Sequence, residues 1–321
     1  MSKYYYSYKD YLKQHFPFRV YKIGLDAGFT CPNRDGSVAY GGCIYCENRS
    51  FSANSKGERK SVSEQIEDGM AFYRRHFKAE KFIAYFQAYT NTYGSVSLLE
   101  RLYEEALSFP DVAGLSIGTR PDCLPDDVLD LLVCYSKKTH LWVEIGLQSM
   151  HDDTLLWMNR GHNFEQFTDA ITRVKLRGLR ACVHVILGMP GETDEMMMQT
   201  ADTLAGLDID GLKIHHLYVA GNTLLAKMYE KGEIDLLTLD EYVPLVCNFL
   251  ERIPPDVAIQ RLTGEVTGEY LIAPKWGVSK KAVLAAIENE LSRRGSYQGK
   301  FFQVAPTFMV SKYTATGIGG G

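Results

Sequence analysis

Short apolar runs alternate with amphipathic stretches along most of the 321 residues, and this alternation constrains the fold more than any other sequence feature. Six apolar runs predict strands, at 19–25, 81–89, 113–119, 141–147, 179–188 and 211–219. The stretches between them predict helices, at 61–77, 97–108, 125–135, 163–177 and 193–207. Several runs are apolar almost throughout, as strands buried on both faces are. The sequence therefore predicts an α/β protein with a parallel sheet and right-handed crossovers.

The number of strand–helix units predicts an incomplete barrel. Six units fit between residues 19 and 235, whereas a complete eight-unit TIM barrel takes roughly 250 residues. We therefore predict a partial (β/α)6 TIM-like barrel over 19–235, preceded by a tyrosine-rich segment at 1–18. An α+β C-terminal extension is predicted over 236–313, with helices near 238–252 and 279–294, and the Gly-rich residues 314–321 are expected to form a mobile tail.

Composition and charge exclude several classes of protein. Lys and Arg total 35 against 39 Asp and Glu, a net charge of −4, so the chain has no general attraction for polyanions. A nucleic-acid partner would need a local basic patch. The longest apolar runs are far shorter than the roughly 18 residues of a membrane span, and the N-terminus has no apolar signal-peptide core. We expect a cytoplasmic protein without membrane contact.

Three of the seven cysteines, Cys31, Cys43 and Cys46, lie close together in a C-x11-C-x2-C pattern. They follow the first predicted strand, on the face where βα barrels carry their active sites. A closed zinc site takes four ligands, and a four-iron cluster normally takes four cysteines. Three thiolates leave one iron open to an exogenous ligand, which favours a reactive cluster. A zinc site completed by Cys123, or three unrelated core cysteines, are the alternatives.

Further strings occur in barrel order: SIGTRPD at 116–122, EIGLQS at 144–149 and GMPGET at 188–193. Together with the cysteines they resemble the radical S-adenosylmethionine (SAM) enzymes. CPNRDGS at 31–37 and FQAYTNTY at 86–93 are similar to the YhcC/YtqA-like group of that superfamily. The long first cysteine spacing resembles the branch containing the elongator catalytic subunit.

This resemblance implies two cofactors, a [4Fe-4S] cluster and SAM. Cys31, Cys43 and Cys46 would be the catalytic metal ligands, and SAM would bind the open iron. Reductive cleavage of SAM would give a 5′-deoxyadenosyl radical that abstracts hydrogen from the substrate. The resemblance also implies an electron donor such as flavodoxin or ferredoxin.

Contacts with SAM are implied for eight residues: Tyr45, Tyr89, Thr90, Glu144, Gln148, Arg160, Tyr218 and Val219. Gln148 matches a ribose-binding position, and Arg160 matches an arginine that pairs with the methionine carboxylate, which suits its planar fork. An acidic ribose contact of some relatives falls on Gly118 here, so Glu144 is the candidate replacement. The segment 88–90 lacks the glycines of the family motif. Arg160 as an exposed surface cation is the alternative reading.

The resemblance implies a tRNA substrate, with 5-carboxymethylaminomethyl-2-thiouridine at the wobble position trimmed to the 5-aminomethyl form. Arg120 and Lys213 are candidates for an internal cation that meets the carboxylate of the glycine-derived arm. His215 and His216 point to opposite faces of one strand, so they cannot share a metal ion. His215 is a candidate substrate contact.

Local basic, aromatic surfaces could serve such a partner. Residues 1–24 hold six tyrosines and five Lys or Arg, a combination that suits stacked bases and phosphates. The basic runs at 74–76 and 293–294 add to it. Alternatively, the N-terminal segment packs over the open bottom of the barrel and the basic runs are solvated faces.

Two other functions remain open from the sequence. The same radical chemistry could act on a small molecule or a protein, or the chain could be a non-catalytic metal-binding module.

Overall fold

The structure of the protein, a computed structural model, describes residues 3–264, 266 and 268–303. The tail predicted at 314–321 lies outside these residues. Within them, no helix combines the length and apolar character that crossing a membrane requires.

Seven strands form the central sheet, and they pair in parallel, as the alternating pattern predicts. In spatial order they are β1 (Val20–Leu25), β2 (Lys81–Phe86), β3 (Val112–Thr119), β4 (His140–Gln148), β5 (Arg180–Leu187), β6 (Gly211–His216) and β8 (Ala258–Arg261). The sheet curls into a half-barrel, and no ladder joins β8 back to β1 within the described residues. One side of the barrel is therefore open.

Ten α-helices are present in the described part of the chain: α1 (Tyr8–His15), α2 (Val62–Phe77), α3 (Val96–Leu107), α4 (Asp126–Ser136), α5 (Asp152–Trp157), α6 (Phe164–Leu176), α7 (Asp194–Ala205), α8 (Leu224–Glu230), α9 (Leu239–Leu250) and α10 (Lys280–Arg293). The five helices predicted between strands are α2, α3, α4, α6 and α7. Ser61 and Glu64 form a capping box that begins α2, and the Thr193 hydroxyl caps α7. Local sequence therefore determines where these helices begin.

The structure differs from the predicted six-strand barrel at two places. A seventh strand, β8, joins the sheet from within the predicted C-terminal extension, and its four residues are too few to show a periodic pattern. The second strand ends at Phe86 and not at residue 89, because Tyr89 adopts a positive φ of 62° that breaks the extended backbone. A short antiparallel pair, β7 (Val219–Ala220) with β9 (Leu271–Ala273), lies apart from the barrel.

The N-terminal segment closes the amino-terminal end of the barrel. Trp142, near the start of β4, is fully buried, and the rings of Tyr8 and Tyr11 lie 6.2 and 5.2 Å from it. The backbone N–H of Ile259 in β8 donates to the Tyr6 carbonyl at 2.8 Å. These tyrosines pack as the structural alternative predicted, so they do not present a free stacking surface.

Candidate active site

The loop from Cys31 to Cys46 follows β1 and folds back on itself at the carboxyl end of the barrel. Consecutive Gly41 and Gly42 both adopt positive φ, at 80° and 81°, a conformation that strains other residues. A Cβ on Gly42 would come within 2.9 Å of the Arg34 side chain. Arg34 Nη2 donates to the Cys46 carbonyl at 2.6 Å, so the arginine ties the two ends of the loop together.

Side-chain N–H groups surround the sulfurs of this loop. Asn33 Nδ2 and Arg160 Nη1 each lie 3.6 Å from Cys43 Sγ, and Asn48 Nδ2 lies 3.7 Å from Cys46 Sγ. Such donors stabilise a metal-bound thiolate and tune its metal. Sequence reasoning missed both asparagines, although each lies two residues after a cysteine of the triplet.

Burial, together with the neighbouring Cys43 thiol, raises the pKa of Cys46 to about 11. Without a metal this thiol would therefore stay protonated at neutral pH. A coordinating metal deprotonates such a thiol outright. A bound metal would therefore convert Cys46 to a thiolate and balance its negative charge.

The cysteines do not form a single-ion site. In the described ranges, no group of three or more His, Cys, Asp or Glu side chains is placed to hold one metal ion. This finding counts against the zinc site completed by Cys123. A four-iron cluster binds each thiolate through a different iron, so it requires sulfurs that lie around a common space and do not converge on one point.

A cavity of about 960 Å³, including its open mouth, lies beside the cysteine loop. It is lined by twelve of the residues that the sequence singled out: Cys31, Cys43, Tyr45, Cys46, Tyr89, Thr90, Arg120, Glu144, Gln148, Arg160, His215 and Tyr218. Val219 does not line it, because this residue is fully buried in an apolar cluster with Ile44 and Leu225. Lys213 does not line it either, and reaches a neighbouring space.

Gln148 ends β4 in a conformation that aims its side chain into the cavity. Its φ of 78° is positive, which costs roughly 1–3 kcal/mol for a residue other than glycine. Its Oε1 is buried and has no hydrogen-bond partner in the part of the chain that the structure describes. An orphaned buried acceptor is rare, and a ligand hydroxyl would satisfy this one.

Arg160 is buried, so the reading of this residue as an exposed surface cation is wrong. Its Nη2 donates to the Gly146 carbonyl at 2.6 Å, and its Nε lies 2.9 Å from His162 Nε2. Burial and the neighbouring Arg160 lower the pKa of His162 to about 2, so this ring is a neutral acceptor. Among the described residues, the remaining Nη1 has only the long contact with Cys43 Sγ, which leaves it available to an anionic ligand.

Arg120 lines the cavity, but its charge is already compensated. Its Nε and Nη2 donate to the two oxygens of Asp122, each at 2.9 Å. Its Nη1 donates to the Arg160 carbonyl at 2.7 Å. The structure therefore gives Arg120 a positioning contact with Arg160 and disfavours the predicted contact with a substrate carboxylate.

Glu144 lies fully buried at the centre of a charge network. Its Oε1 accepts from Lys22 and Ser116, each at 2.5 Å, and its Oε2 contacts Lys213 and, at 2.9 Å, His184 Nε2. Burial alone would raise the pKa of Glu144, but the ammonium groups of Lys213 and Lys22 hold it well below its ordinary value. Both oxygens are in use, so the predicted ribose contact would have to share one.

Three arginines of the basic runs considered for tRNA contact form ion pairs with nearby acids. Arg74 pairs with Asp111. Arg293 and Arg294 pair with Glu290, at 2.8 and 2.6 Å. These ion pairs lie on the surface, where they contribute little stability, and they reduce the positive potential that a polyanion would meet.

Two family descriptions match the chain. The Radical SAM superfamily matches residues 31–204, and the Radical_SAM C-terminal domain matches residues 209–293. Protein YtqA of Bacillus subtilis (strain 168) is 45% identical over 305 residues, which cover 94% of this chain and 94% of YtqA.

More distant relatives share part of their length with this chain. The tRNA uridine(34) acetyltransferase of Methanocaldococcus infernus is 26% identical over 185 residues, which cover 56% of this chain and 33% of that protein. Among solved structures, the archaeal Methanocaldococcus infernus Elp3 with an N-terminus deletion superposes with a TM-score of 0.64 at 18% identity. The superposition covers 87% of this chain and 64% of that chain. At this identity the likeness shows a common fold alone.

Proposed function

Because the chain belongs to the radical SAM superfamily, we propose that it is a radical SAM enzyme that modifies the wobble uridine of tRNA. It would trim 5-carboxymethylaminomethyl-2-thiouridine to the 5-aminomethyl form. The observation that carries the catalytic part is one cavity lined by three cysteines, Arg160 and Gln148, whose Oε1 has no partner within the described residues. The relative named tRNA uridine(34) acetyltransferase supports the tRNA part, and a tRNA substrate would place the protein in the cytoplasm.

Cys31, Cys43 and Cys46 would hold a [4Fe-4S] cluster, and their number leaves one iron open for SAM. When bound and reduced, by a donor such as flavodoxin or ferredoxin, the cluster supplies the electron that cleaves SAM to a 5′-deoxyadenosyl radical. The amides of Asn33 and Asn48 would donate to the ligating sulfurs and spread their negative charge. The protein thus contributes placement and electrostatics to chemistry that belongs to the cofactor.

The remaining polar groups of the cavity suit the parts of SAM. Gln148 Oε1 would accept a hydrogen bond from a ribose hydroxyl, and Arg160 Nη1 would donate to the methionine carboxylate. We assign the other contacts to Tyr45, Tyr89, Thr90 and Tyr218, which all line the cavity. Burial raises the pKa of Tyr218 to about 12, so its hydroxyl stays protonated and can donate.

The proposed conversion balances with SAM as the net two-electron oxidant. The carbon of the glycine-derived arm would lose a hydrogen atom to the deoxyadenosyl group that SAM supplies, and one electron would return to the reductant. Water then adds at the oxidised carbon, the C–N bond breaks and one proton is released. Each turnover would consume one SAM and yield one methionine, one 5′-deoxyadenosine, one glyoxylate and the aminomethyl nucleoside.

Nucleoside mass spectrometry tests this proposal. Anaerobically reconstituted protein should hold four irons, and incubation with SAM, reductant and tRNA that carries the longer nucleoside should yield the aminomethyl nucleoside. Glyoxylate and 5′-deoxyadenosine should form in equal amounts. Deleting the gene should make the longer nucleoside accumulate. Zinc content without SAM cleavage would refute the radical chemistry, and an unchanged nucleoside profile would refute the tRNA substrate.

One observation favours a second candidate, a radical SAM enzyme that acts on a small molecule or a protein. Arg74, Arg293 and Arg294 of the basic runs are paired with acids, and the net charge is −4. SAM cleavage by protein that fails to bind tRNA in a filter assay would support this candidate.

A further inference from the structure

A second cavity adjoins the cavity beside the cysteine loop, which we assign to SAM, and opens between β1 and β8, the edges at which the half-barrel stays open. It encloses about 1390 Å³ including its mouth. Lys22 of β1, Lys213 of β6 and Gln260 of β8 contribute to its walls. Tyr85 and Gln87 line both cavities, so a group bound in the second cavity would lie beside the first.

Positive charge exceeds negative charge in the network that borders this cavity. The ammonium groups of Lys22 and Lys213 share one carboxylate, that of Glu144. Burial lowers the pKa of His184 to about 4, so this ring adds no charge at neutral pH. Burial also lowers the pKa of Lys213, to about 7, although the Glu144 carboxylate raises it.

Arg261 adds a guanidinium to the lining of this second cavity, and the acid in that lining, Asp68, is paired with Lys60. Cationic groups therefore outnumber the acids around Glu144, which favours an anionic ligand.

An unused hydrogen-bond donor lies among the same groups. Gln260 Oε1 accepts from Lys22 Nζ at 2.8 Å, which fixes the orientation of the amide. Its Nε2 is buried and has no partner among the residues that the structure describes. A buried donor without a partner is unfavourable, and an incoming oxygen would remove this cost.

We propose that Lys22, Lys213 and Gln260 form a carboxylate-binding subsite that holds an acidic arm of the substrate beside SAM. The proposal rests on the proposed function, whose longer nucleoside ends in a carboxylate that the product lacks. Arg120, the other cation considered from the sequence, is neutralised by Asp122.

Binding of a matched pair of nucleosides tests the subsite. The anaerobic holoenzyme with SAM is titrated with 5-carboxymethylaminomethyl-2-thiouridine and with 5-aminomethyl-2-thiouridine. Wild-type protein should bind the carboxylate nucleoside about tenfold more tightly, a ratio typical of one hydrogen-bonded charge. Gln260→Glu keeps the acceptor for Lys22 but replaces the free donor by a negative charge, and it should remove the preference. Gln199→Glu, the same change at an exposed position of α7, should preserve it.

Lys213→Met should also remove the preference, and SAM cleavage without substrate reports whether each variant is folded. Equal binding of both nucleosides by the wild type, or an unchanged preference in Gln260→Glu, would overturn the subsite even if tRNA is modified. A carboxylate preference in a protein that leaves tRNA unmodified would refute the tRNA function and retain the subsite. If neither nucleoside binds, N-methylglycine is the probe, and its failure to bind would also overturn the subsite.

Discussion

Both ends of the half-barrel are rich in buried polar and aromatic groups, but the surroundings of these groups differ between the two ends. At the amino-terminal end, the Trp142 indole N–H donates to His140 Nε2 at 3.0 Å, and the Tyr11 hydroxyl lies 3.2 Å from the same atom. At the carboxyl end, Gln148 and Tyr89 adopt positive φ, and Gln148 Oε1 lacks a partner within the described chain. Each end leaves a buried polar atom without a partner in the described chain, Tyr8 Oη at the amino-terminal end and Gln148 Oε1 at the carboxyl end. Tyr8 Oη lies among packed aromatic rings, whereas Gln148 Oε1 lies beside strained backbone at an open cavity. The difference indicates that a ligand completes the carboxyl end.

The largest expected effect is at the carboxyl end. Cys43→Ala should lower reductive SAM cleavage by about 1000-fold or more, equivalent to at least ~4 kcal/mol, because the proposed cluster would lose one of its three ligands. The measurement is 5′-deoxyadenosine formation together with iron content.

A matched variant separates chemistry from stability. Cys247→Ala removes a cysteine that is also buried but lies on α9, where it packs against α10. It should lower the melting temperature and leave the cleavage rate of the folded protein unchanged. If Cys247→Ala abolished cleavage and Cys43→Ala did not, the assignment of the triplet would be wrong.

At the amino-terminal end, Trp142→Ala should lower the free energy of unfolding by ~3–5 kcal/mol, the usual cost of removing a large buried aromatic side chain. Urea denaturation gives this value. SAM affinity of the folded variant should change little, because Trp142 does not line the cavity beside the cysteine loop. Loss of SAM affinity without loss of stability would contradict the division between the two ends.

Arg160→Met tests the carboxyl end of the half-barrel, and we expect an effect of intermediate size. It should weaken SAM binding by about ten- to hundredfold, since a hydrogen bond between charged groups is lost. Isothermal titration of the holoenzyme with SAM gives the dissociation constant. Arg101→Met, at an exposed position of α3, is the control and should bind SAM normally.

The smallest expected effect is on the pH dependence of stability and involves His140 at the amino-terminal end. Burial lowers the pKa of His140 to about 3, whereas an unfolded histidine titrates near ~6.5. Between these values the unfolded state binds more protons, so stability falls as the pH decreases below about 6.5. His140→Gln should make this decline shallower by less than ~1 kcal/mol per pH unit. Urea unfolding at about pH 7 and about pH 5 measures it, and an identical slope in both proteins would contradict the neutral His140.

Sequence patterns predicted the elements that depend on neighbouring residues. The capping box of Ser61 and Glu64 lies within one helical turn, and the strand pattern needs only a window of several residues. The short strand β8 was missed because its four residues are too few to show a periodic pattern. Its extended conformation depends on pairing with β6, which the local sequence does not reveal.

The residues of the candidate site divide in the same way, into those that local spacing reveals and those that only the tertiary structure reveals. Cys31, Cys43 and Cys46 were identified because they form a compact spacing, whereas Asn33 and Asn48 show their role only through distances to sulfur. The comparison with relatives shows the superfamily to which the chain belongs. The roles of single residues stay predictions that the variants above can test.

By itself the sequence determined the order of strands and helices and the position of the cysteine loop after β1, because periodicity and local spacing carry that information. Only the tertiary structure decided which charged groups meet. Lys22, Glu144, Lys213 and Gln260 come from four strands and are separated by up to 238 residues along the chain. No local pattern distinguishes these lysines from exposed ones. These groups interact strongly because they are buried in the same low-dielectric interior, whereas in water their charges would be screened from one another.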